Sequence, residues 1–253
     1  MEIVVLMKQT FDTEEKINIA NGAINEDGVR FVINPYDEYA VEQAIQIRDE
    51  LGGKVTVVSV GPERSVEALR TALAMGADEA VLINDERIPA DGAAVAEVLA
   101  AWLAKTPYDL ILGGNFSVDQ GAGQVAIRLA TLLGIPHVGA ITGLKLESGK
   151  AVAHRDAEGD VEVVEVALPA LFTAQQGLNE PRYPSLPGIM KAKKKPLQQL
   201  SLDDLGLSAP EAKTAVVQLS MPPARQAGKV LSGELPEQAK ELVRLLRDEA
   251  KAL

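Results

Sequence analysis

Short runs of Val, Ile and Leu, each followed by a longer segment with helical spacing of apolar residues, recur along the first half of the chain. The runs are Ile3 to Met7, Val55 to Val60, Ala80 to Ile83 and Leu110 to Leu112. Continuous apolar runs of this kind suit parallel strands covered on both faces. Pro35 to Leu51 spaces Ala40, Ala44, Ile45 and Ile47 for a helix, with Pro35 at its start and Gly52-Gly53 past its end. Ser65 to Met75 repeats the pattern and stops at Gly76, while Gly92 to Lys105 and Gly121 to Leu133 follow the third and fourth runs. The periodicity predicts an α/β protein with an open, mostly parallel sheet and right-handed crossovers.

From about Ile141 the pattern turns to alternation, in Leu144 to Leu146, Ala151 to Arg155 and Val161 to Val166. The breaks Glu147 to Lys150 and Ala157 to Asp160 are rich in turn formers, which predicts antiparallel hairpins attached to the sheet. Pro169 to Ala174 returns to the sheet as a further strand. Beyond Gln175, Pro181, Pro184, Pro187 and Pro196 crowd around Met190 to Lys195, and such a density argues against a packed core element. The chain closes on an amphipathic segment, Glu237 to Leu253, with Leu242, Leu245 and Leu246 on one side. The last part of the chain therefore reads as an arm. Ordering it alone costs about 1 to 2 kcal/mol of backbone entropy per residue, so it is either a solvated linker or an arm received by a partner.

Composition narrows the chemistry. A chain of 253 residues with 47% hydrophobic residues has room for one large domain with appendages. Its 25 Lys and Arg against 36 Asp and Glu give a net charge of −11, which disfavours nucleic acid as a partner. Cys is absent, which removes disulfides, thiol catalysis and thiolate metal centres. Only His137 and His154 supply imidazole, so no metal site is expected, and any redox chemistry must come from a bound cofactor. The N-terminus lacks a basic region before its short apolar run, and no segment approaches the ~20 apolar residues of a spanning helix. The expectation is a cytoplasmic protein without membrane insertion.

Three predicted strand-to-helix loops are unusual: Val58 to Pro62, Ile111 to Gln124, and Asn34 to Asp37. In an open α/β sheet such loops meet ligands, because backbone N–H groups gather there at helix N-termini. The second loop carries Gly113, Gly114, Gly121 and Gly123 among small polar residues, suiting an anion cradle of backbone amides. Tight turns and close helix-to-sheet packing would use the same glycines. The loop has neither the P-loop Lys nor a strict GxGxxG spacing, which favours binding without turnover. His137 follows Pro136 in an expected buried turn and His154 sits in a hairpin; neither has a Ser in a nucleophile-elbow context, so no catalytic residue is assigned. Lys191, Lys193, Lys194 and Lys195 form the one basic cluster. It is either a solvated run or, beside Leu186, Ile189 and Met190, the charged rim of a docking plug.

Three segments carry a resemblance: Asn34-Pro-Tyr-Asp-Glu-Tyr-Ala-Val-Glu-Gln-Ala44, Arg70-Thr-Ala-Leu-Ala-Met-Gly-Ala-Asp78, and Leu178-Asn-Glu-Pro-Arg-Tyr183 followed by Leu186-Pro-Gly-Ile-Met-Lys-Ala-Lys-Lys-Lys195. Over essentially its whole length the chain resembles the beta subunits of the electron-transfer flavoproteins. The resemblance implies a nucleotide alpha-hydrolase-like fold with Rossmann-type layering, a hairpin insertion and an extended C-terminal arm. Residues 1–190 would form the adenine-nucleotide-binding domain and residues 191–253 an arm and terminal helix wrapping an alpha subunit. It further implies an FAD shared with that subunit, a buried structural AMP, donor acyl-CoA and other flavin dehydrogenases, as in fatty acid oxidation, and a membrane quinone oxidoreductase as acceptor.

By motif, the adenine-side contacts would be Leu6, Asn34, Pro35, Tyr36, Asp37 and Val60, with Tyr36 also near the flavin. The phosphate-side contacts would be Gly113, Gly114, Asn115, Asp119, Gln120, Gly121 and Ala122. Leu186 resembles the anchor that recognises dehydrogenases, supported by Pro187, Ile189 and Met190 and flanked by Tyr183 and Lys191. Two features depart from many relatives: the acidic loop is shorter and retains only Asp119, and Thr13 stands where a Tyr lies near the flavin. Two alternatives stay open. One is a bifurcating, NADH-oxidising relative with a second FAD in place of AMP; the other is a stand-alone adenine-nucleotide sensor.

Overall fold

The first apolar run forms strand β1 (Glu2–Leu6), and its central residues are buried because a strand lies on either side and helices cover both faces. A computed structural model describes residues 1–224 and 227–253. After β1 the chain makes two small antiparallel pairs, β2 (Gln9–Phe11) with β5 (Phe31–Ile33), and β3 (Asn18–Ala20) with β4 (Ala23–Asn25). The alternation that follows is the one the periodicity predicts: α1 (Pro35–Leu51), β6 (Lys54–Val60), α2 (Ser65–Met75), β7 (Glu79–Ile83), α3 (Gly92–Leu103) and β8 (Leu110–Gly114). Then come α4 (Val125–Leu133), the hairpin strands β9 (His137–Glu147), β10 (Lys150–Ala157) and β11 (Asp160–Ala167), and β12 (Ala170–Ala174). The first unit ends with α5 (Leu186–Ala192), β13 (Leu197–Leu200), α6 (Leu202–Leu205) and a coil to Gln218.

Nine strands make one sheet in the order β11-β10-β9-β12-β8-β1-β6-β7-β13, parallel from β9 to β13 and antiparallel through β9, β10 and β11. Alternate residues face opposite sides. Ile3, Val5, Val57, Leu82 and Leu112 pack with Ala44, Ile45 and Leu69 of α1 and α2. Val4, Leu6, Val58, Ile83 and Ile111 pack with Leu99, Trp102 and Leu129 of α3 and α4. From β1 the order runs one way through β6 and β7, and the chain then crosses to β8 on the other side of β1. The carboxyl ends of β1 and β8 therefore flank the switch point where open sheets form a crevice.

Three sequence expectations need correction. The helix expected from Gly121 starts at Val125, because Gly121 (φ 66°) and Gly123 (φ 59°) take left-handed backbone that ends any right-handed helical run. The Pro-rich stretch beyond residue 190, expected to lie outside the core in an arm, is instead part of the first unit: Ala192, Leu202 and Leu205 are buried and β13 pairs with β7. Proline is compatible here because Pro187 occupies the first turn of α5, while Pro196 precedes an edge strand and needs only its carbonyl, which accepts from Ala80 N at 3.1 Å. His137, expected in a buried turn, opens β9 and is exposed.

Leu219–Leu253 is a separate unit. Among its described residues the regular element is α7 (Leu235–Asp248), which starts two residues before the amphipathic segment read from sequence and stops five residues short of that segment's end. Arg244 bridges Glu241 one turn earlier at 2.6 Å, and Leu235, Leu242 and Val243 are exposed. Among the described residues no helix is long and apolar enough to cross a membrane.

Candidate functional site

The crevice is built by the start of α1 and the loop after β8. Asn34 caps α1, but its side chain does not bond the helix's own amides. It instead donates from Nδ2 to Phe116 O at 2.9 Å and accepts from Val118 N at 3.1 Å, so a side chain that ordinarily serves a helix start clamps the 115–124 loop. Pro35 takes the first helical position, where no N–H is missed. Asp37 is buried and accepts from Lys8 N at 2.7 Å and Gly114 N at 2.9 Å, tying the ends of β1 and β8 together across the switch point. Burial pushes its carboxyl up to about 7, against the pull of those amides and of the Lys8 charge.

Gly114 is required here by space: a Cβ would lie 2.2 Å from Asp37 Oδ1. A Cβ on Gly113 would press Leu6 at 3.3 Å. Tyr36 packs on Phe116 with ring centroids 4.2 Å apart, and both are half-buried. Lys8 Nζ pairs with Asp119 at 2.7 Å, closing the loop over the crevice. Burial opposes the Asp119 charge, yet the hydrogen bonds from Lys8, Ser117 and Gln120 N together with the Lys8 charge outweigh it and hold the carboxyl below the ordinary range.

The nucleotide-side residues read from sequence gather at the carboxyl ends of the central strands. Leu6 and Val60 end β1 and β6, Asn34 to Asp37 open α1, and Gly113, Gly114 and Asn115 end β8 and begin its loop. Asn115 Oδ1 accepts from Thr173 Oγ1 at 3.3 Å, which joins the loop to β12. Asp119, Gln120, Gly121 and Ala122 line the loop's far side, where the amides of Ala122, Gly123 and Gln124 have no protein acceptor among the described residues and precede α4. Ser59 Oγ, one residue before Val60, is buried without a partner among the described residues. Lys8, Phe116 and Ser59 join these residues without a sequence motif that marks them. The available signal for Lys8 was a lone cation just past a buried strand. Thr13 lies exposed in the turn after β2.

The residues read from sequence as docking contacts form a second place. Ser185 Oγ accepts from Gly188 N at 3.1 Å and starts α5, from which Leu186 stands 80% exposed, with Ile189 and Met190 also exposed. Pro187 follows in the first turn, Tyr183 is 94% exposed just before, and Lys191 is exposed at the far end. Lys195, expected in the solvated rim, turns inward: its Nζ donates to Leu73 O at 3.0 Å and to Ala77 O at the end of α2. Burial holds its ammonium below the ordinary lysine range.

The Electron transfer flavoprotein domain family matches residues 21–205. The chain is 56% identical to the Electron transfer flavoprotein subunit beta of Bacillus subtilis over the full length of both. It is 40% identical to the subunit of the same name from Syntrophomonas wolfei, covering 99% of this chain and 98% of that one. It is also 40% identical to the Caffeyl-CoA reductase-Etf complex subunit CarD of Acetobacterium woodii, covering 98% of each. The chain belongs to the electron transfer flavoprotein family, in its beta-subunit branch. Members of the family associate with a flavin and carry electrons.

Proposed function

We propose that the chain is the beta subunit of a heterodimer, that it buries AMP in the crevice between β1 and β8, and that it completes an FAD site with an alpha subunit. Electrons would come from acyl-CoA and other flavin dehydrogenases and leave to a membrane quinone oxidoreductase. The observation that carries this is the crevice itself. Its side-chain charges are satisfied inside the protein, while its loop leaves three successive amides just before α4 without a protein acceptor among the described residues, which fits a phosphate. Leu6, Val60 and Tyr36 supply apolar and aromatic walls for a base, and Ser59 Oγ offers a polar atom still lacking a partner.

The flavin, when bound, supplies the electron chemistry. This chain's residues bind, orient and exclude water: Asn34 and Asp37 hold the loop, Tyr36 and Phe116 close its aromatic side, and Leu186 presents an apolar contact to donors. Residues 219–253 would embrace the alpha subunit through the exposed apolar side of α7.

The likeness to a subunit of a caffeyl-CoA reductase complex favours one second reading, a bifurcating assembly with a second FAD at the AMP position. Denaturing the purified heterodimer and identifying the released nucleotides decides between them. One FAD and one AMP supports the first reading, two FAD the second, and a flavin-free monomer overturns both. In the intact heterodimer, Leu186→Ala should slow reduction by a dehydrogenase without loss of flavin; an unchanged rate refutes the docking role.

A further inference from the structure

Glu42 lies on α1 with its side chain 4% exposed, yet it carries a carboxylate. Arg182 grips it in bidentate fashion, Nε to Oε2 at 2.8 Å and one Nη to Oε1 at 2.9 Å, and the backbone N of Arg182 donates to Oε2 at 3.2 Å. Gln46 donates to Oε1 at 2.8 Å. Burial opposes the charge, but hydrogen bonds from Arg182 and Gln46 outweigh it and hold the carboxyl below its ordinary range. Three residues earlier, Asn179 Nδ2 donates to Tyr39 O at 3.0 Å and Gln43 Oε1 at 3.2 Å. Residues 179–182 are thus fastened to the middle of α1, a partner 140 residues away along the chain for Arg182 and Glu42.

The far side of Leu186 is fastened as firmly. Arg70 on α2 donates to Ala192 O at 2.7 Å and Lys195 O at 2.8 Å, and a Cβ on Gly188 would lie 2.5 Å from Ala74 O. Leu186 therefore stands exposed between two pins, Glu42–Arg182 before it and Arg70 after it. An ion pair with one partner buried, here Glu42, and the other 40% exposed adds little to stability, because desolvation of the carboxylate offsets much of the attraction. Its return is geometric, since bidentate pairing fixes both position and orientation. An exposed apolar anchor gains from such fixing, because a preordered loop loses less entropy on association.

We propose that Glu42 and Arg182 are positioning residues for electron-donor docking: by holding residues 179–182 on α1 they set the geometry in which Leu186 meets the dehydrogenase. This rests on the reading of Leu186 as the docking anchor. Neither residue touches the donor's flavin or the shared one in this scheme; they act through the backbone that carries Leu186.

The test uses the full heterodimer with an acyl-CoA dehydrogenase as reductant and compares Glu42→Gln, Arg182→Lys and Leu186→Ala. For Glu42→Gln, KM for the dehydrogenase should rise about three- to tenfold through lost preordering, with kcat, flavin content and reduction by dithionite unchanged. Amide exchange over residues 178–192 should speed up, and Arg182→Lys, which keeps the charge, should recover part of the KM. In a Leu186→Ala background, Glu42→Gln should add less than about twofold, since neighbours acting through one element are not additive. If Leu186→Ala raises KM and Glu42→Gln does not, or if the two effects simply multiply, the positioning role is overturned while docking stands. If Leu186→Ala itself leaves KM unchanged, the docking reading fails and this inference with it. Should Glu42→Gln not assemble, Arg182→Met, at a more exposed position, carries the same comparison.

Discussion

Replacing Asp37 by Asn removes one titrating group from the deepest part of the crevice and changes how stability depends on pH. Burial raises the folded-state carboxyl from 3.8 to about 7, so between those values the folded protein binds a proton that the unfolded chain has released. Unfolding free energy then falls as pH rises through this window: the group's contribution is whole below about 4 and gone above about 8. For a shift from 3.8 to about 7, the contribution at pH 5 exceeds that at pH 8 by about 2 to 3 kcal/mol. Other carboxylates, such as Glu42 and Asp119, are held below their ordinary range and push the opposite way at acid pH, so the wild-type curve alone is not decisive. The informative quantity is wild type minus Asp37→Asn, measured by urea unfolding of the subunit from pH 5 to pH 8. Asn keeps one acceptor for the amides of Lys8 and Gly114 and cannot ionise. The wild-type advantage should shrink by about 2 to 3 kcal/mol over that range. A flat difference, or one that grows with pH, would mean that Asp37 is ionised throughout and that its two amide donors, not burial, govern it.

Two further outcomes follow from the same geometry. Gly114→Ala places a Cβ 2.2 Å from Asp37 Oδ1 and 2.8 Å from Tyr36, so it should cost about 1 to 3 kcal/mol or more from overpacking and lower the nucleotide retained per heterodimer, read by chromatography of the denatured complex. Asp91 caps α3 through Ala93 N and Ala94 N and also accepts from Thr214 Oγ1 at 2.6 Å; Thr214→Val should therefore loosen residues 208–218 to limited proteolysis without moving thermal unfolding much, whereas Asp91→Ala should do both.

The parallel body of the sheet was legible because strands buried on both faces must be written in Val, Ile and Leu. The crevice was legible because its turns need glycine and its helix starts on Asn-Pro. What escaped shared one physical trait, dependence on a distant partner. Leu197-Gln-Gln-Leu200 has no strand signature of its own and becomes β13 only by pairing with β7. The prolines at 187 and 196 read as breakers, yet one opens a helix and the other precedes an edge strand, roles that context alone assigns. Lys8 and Asp119 are 111 residues apart, and nothing local to either marks the pair. Local periodicity reports burial well and reports long-range electrostatics hardly at all.

The way charge is spent at the crevice argues for holding a ligand over transforming one. A group that moves protons must be free to exchange partners during reaction, with its donor or acceptor aimed at the reacting atom. Here Asp37 is committed to two backbone amides, Asp119 to Lys8, and Asn34 to both directions of the 115–124 loop. Each commitment stiffens the wall, and what the proposed nucleotide would meet is backbone N–H and apolar side chains. Such a lining recognises an anion and a flat ring and offers no nucleophile. The electron-carrying chemistry of the family asks for nothing more from the protein at that position, because placement and water exclusion are what set a bound cofactor's behaviour. One helix, α1, opens the crevice at Asn34 and holds residues 179–182 through Tyr39, Glu42 and Gln43: a rigid rod rising about 1.5 Å per residue keeps the crevice and the proposed docking segment in fixed relation without any moving part.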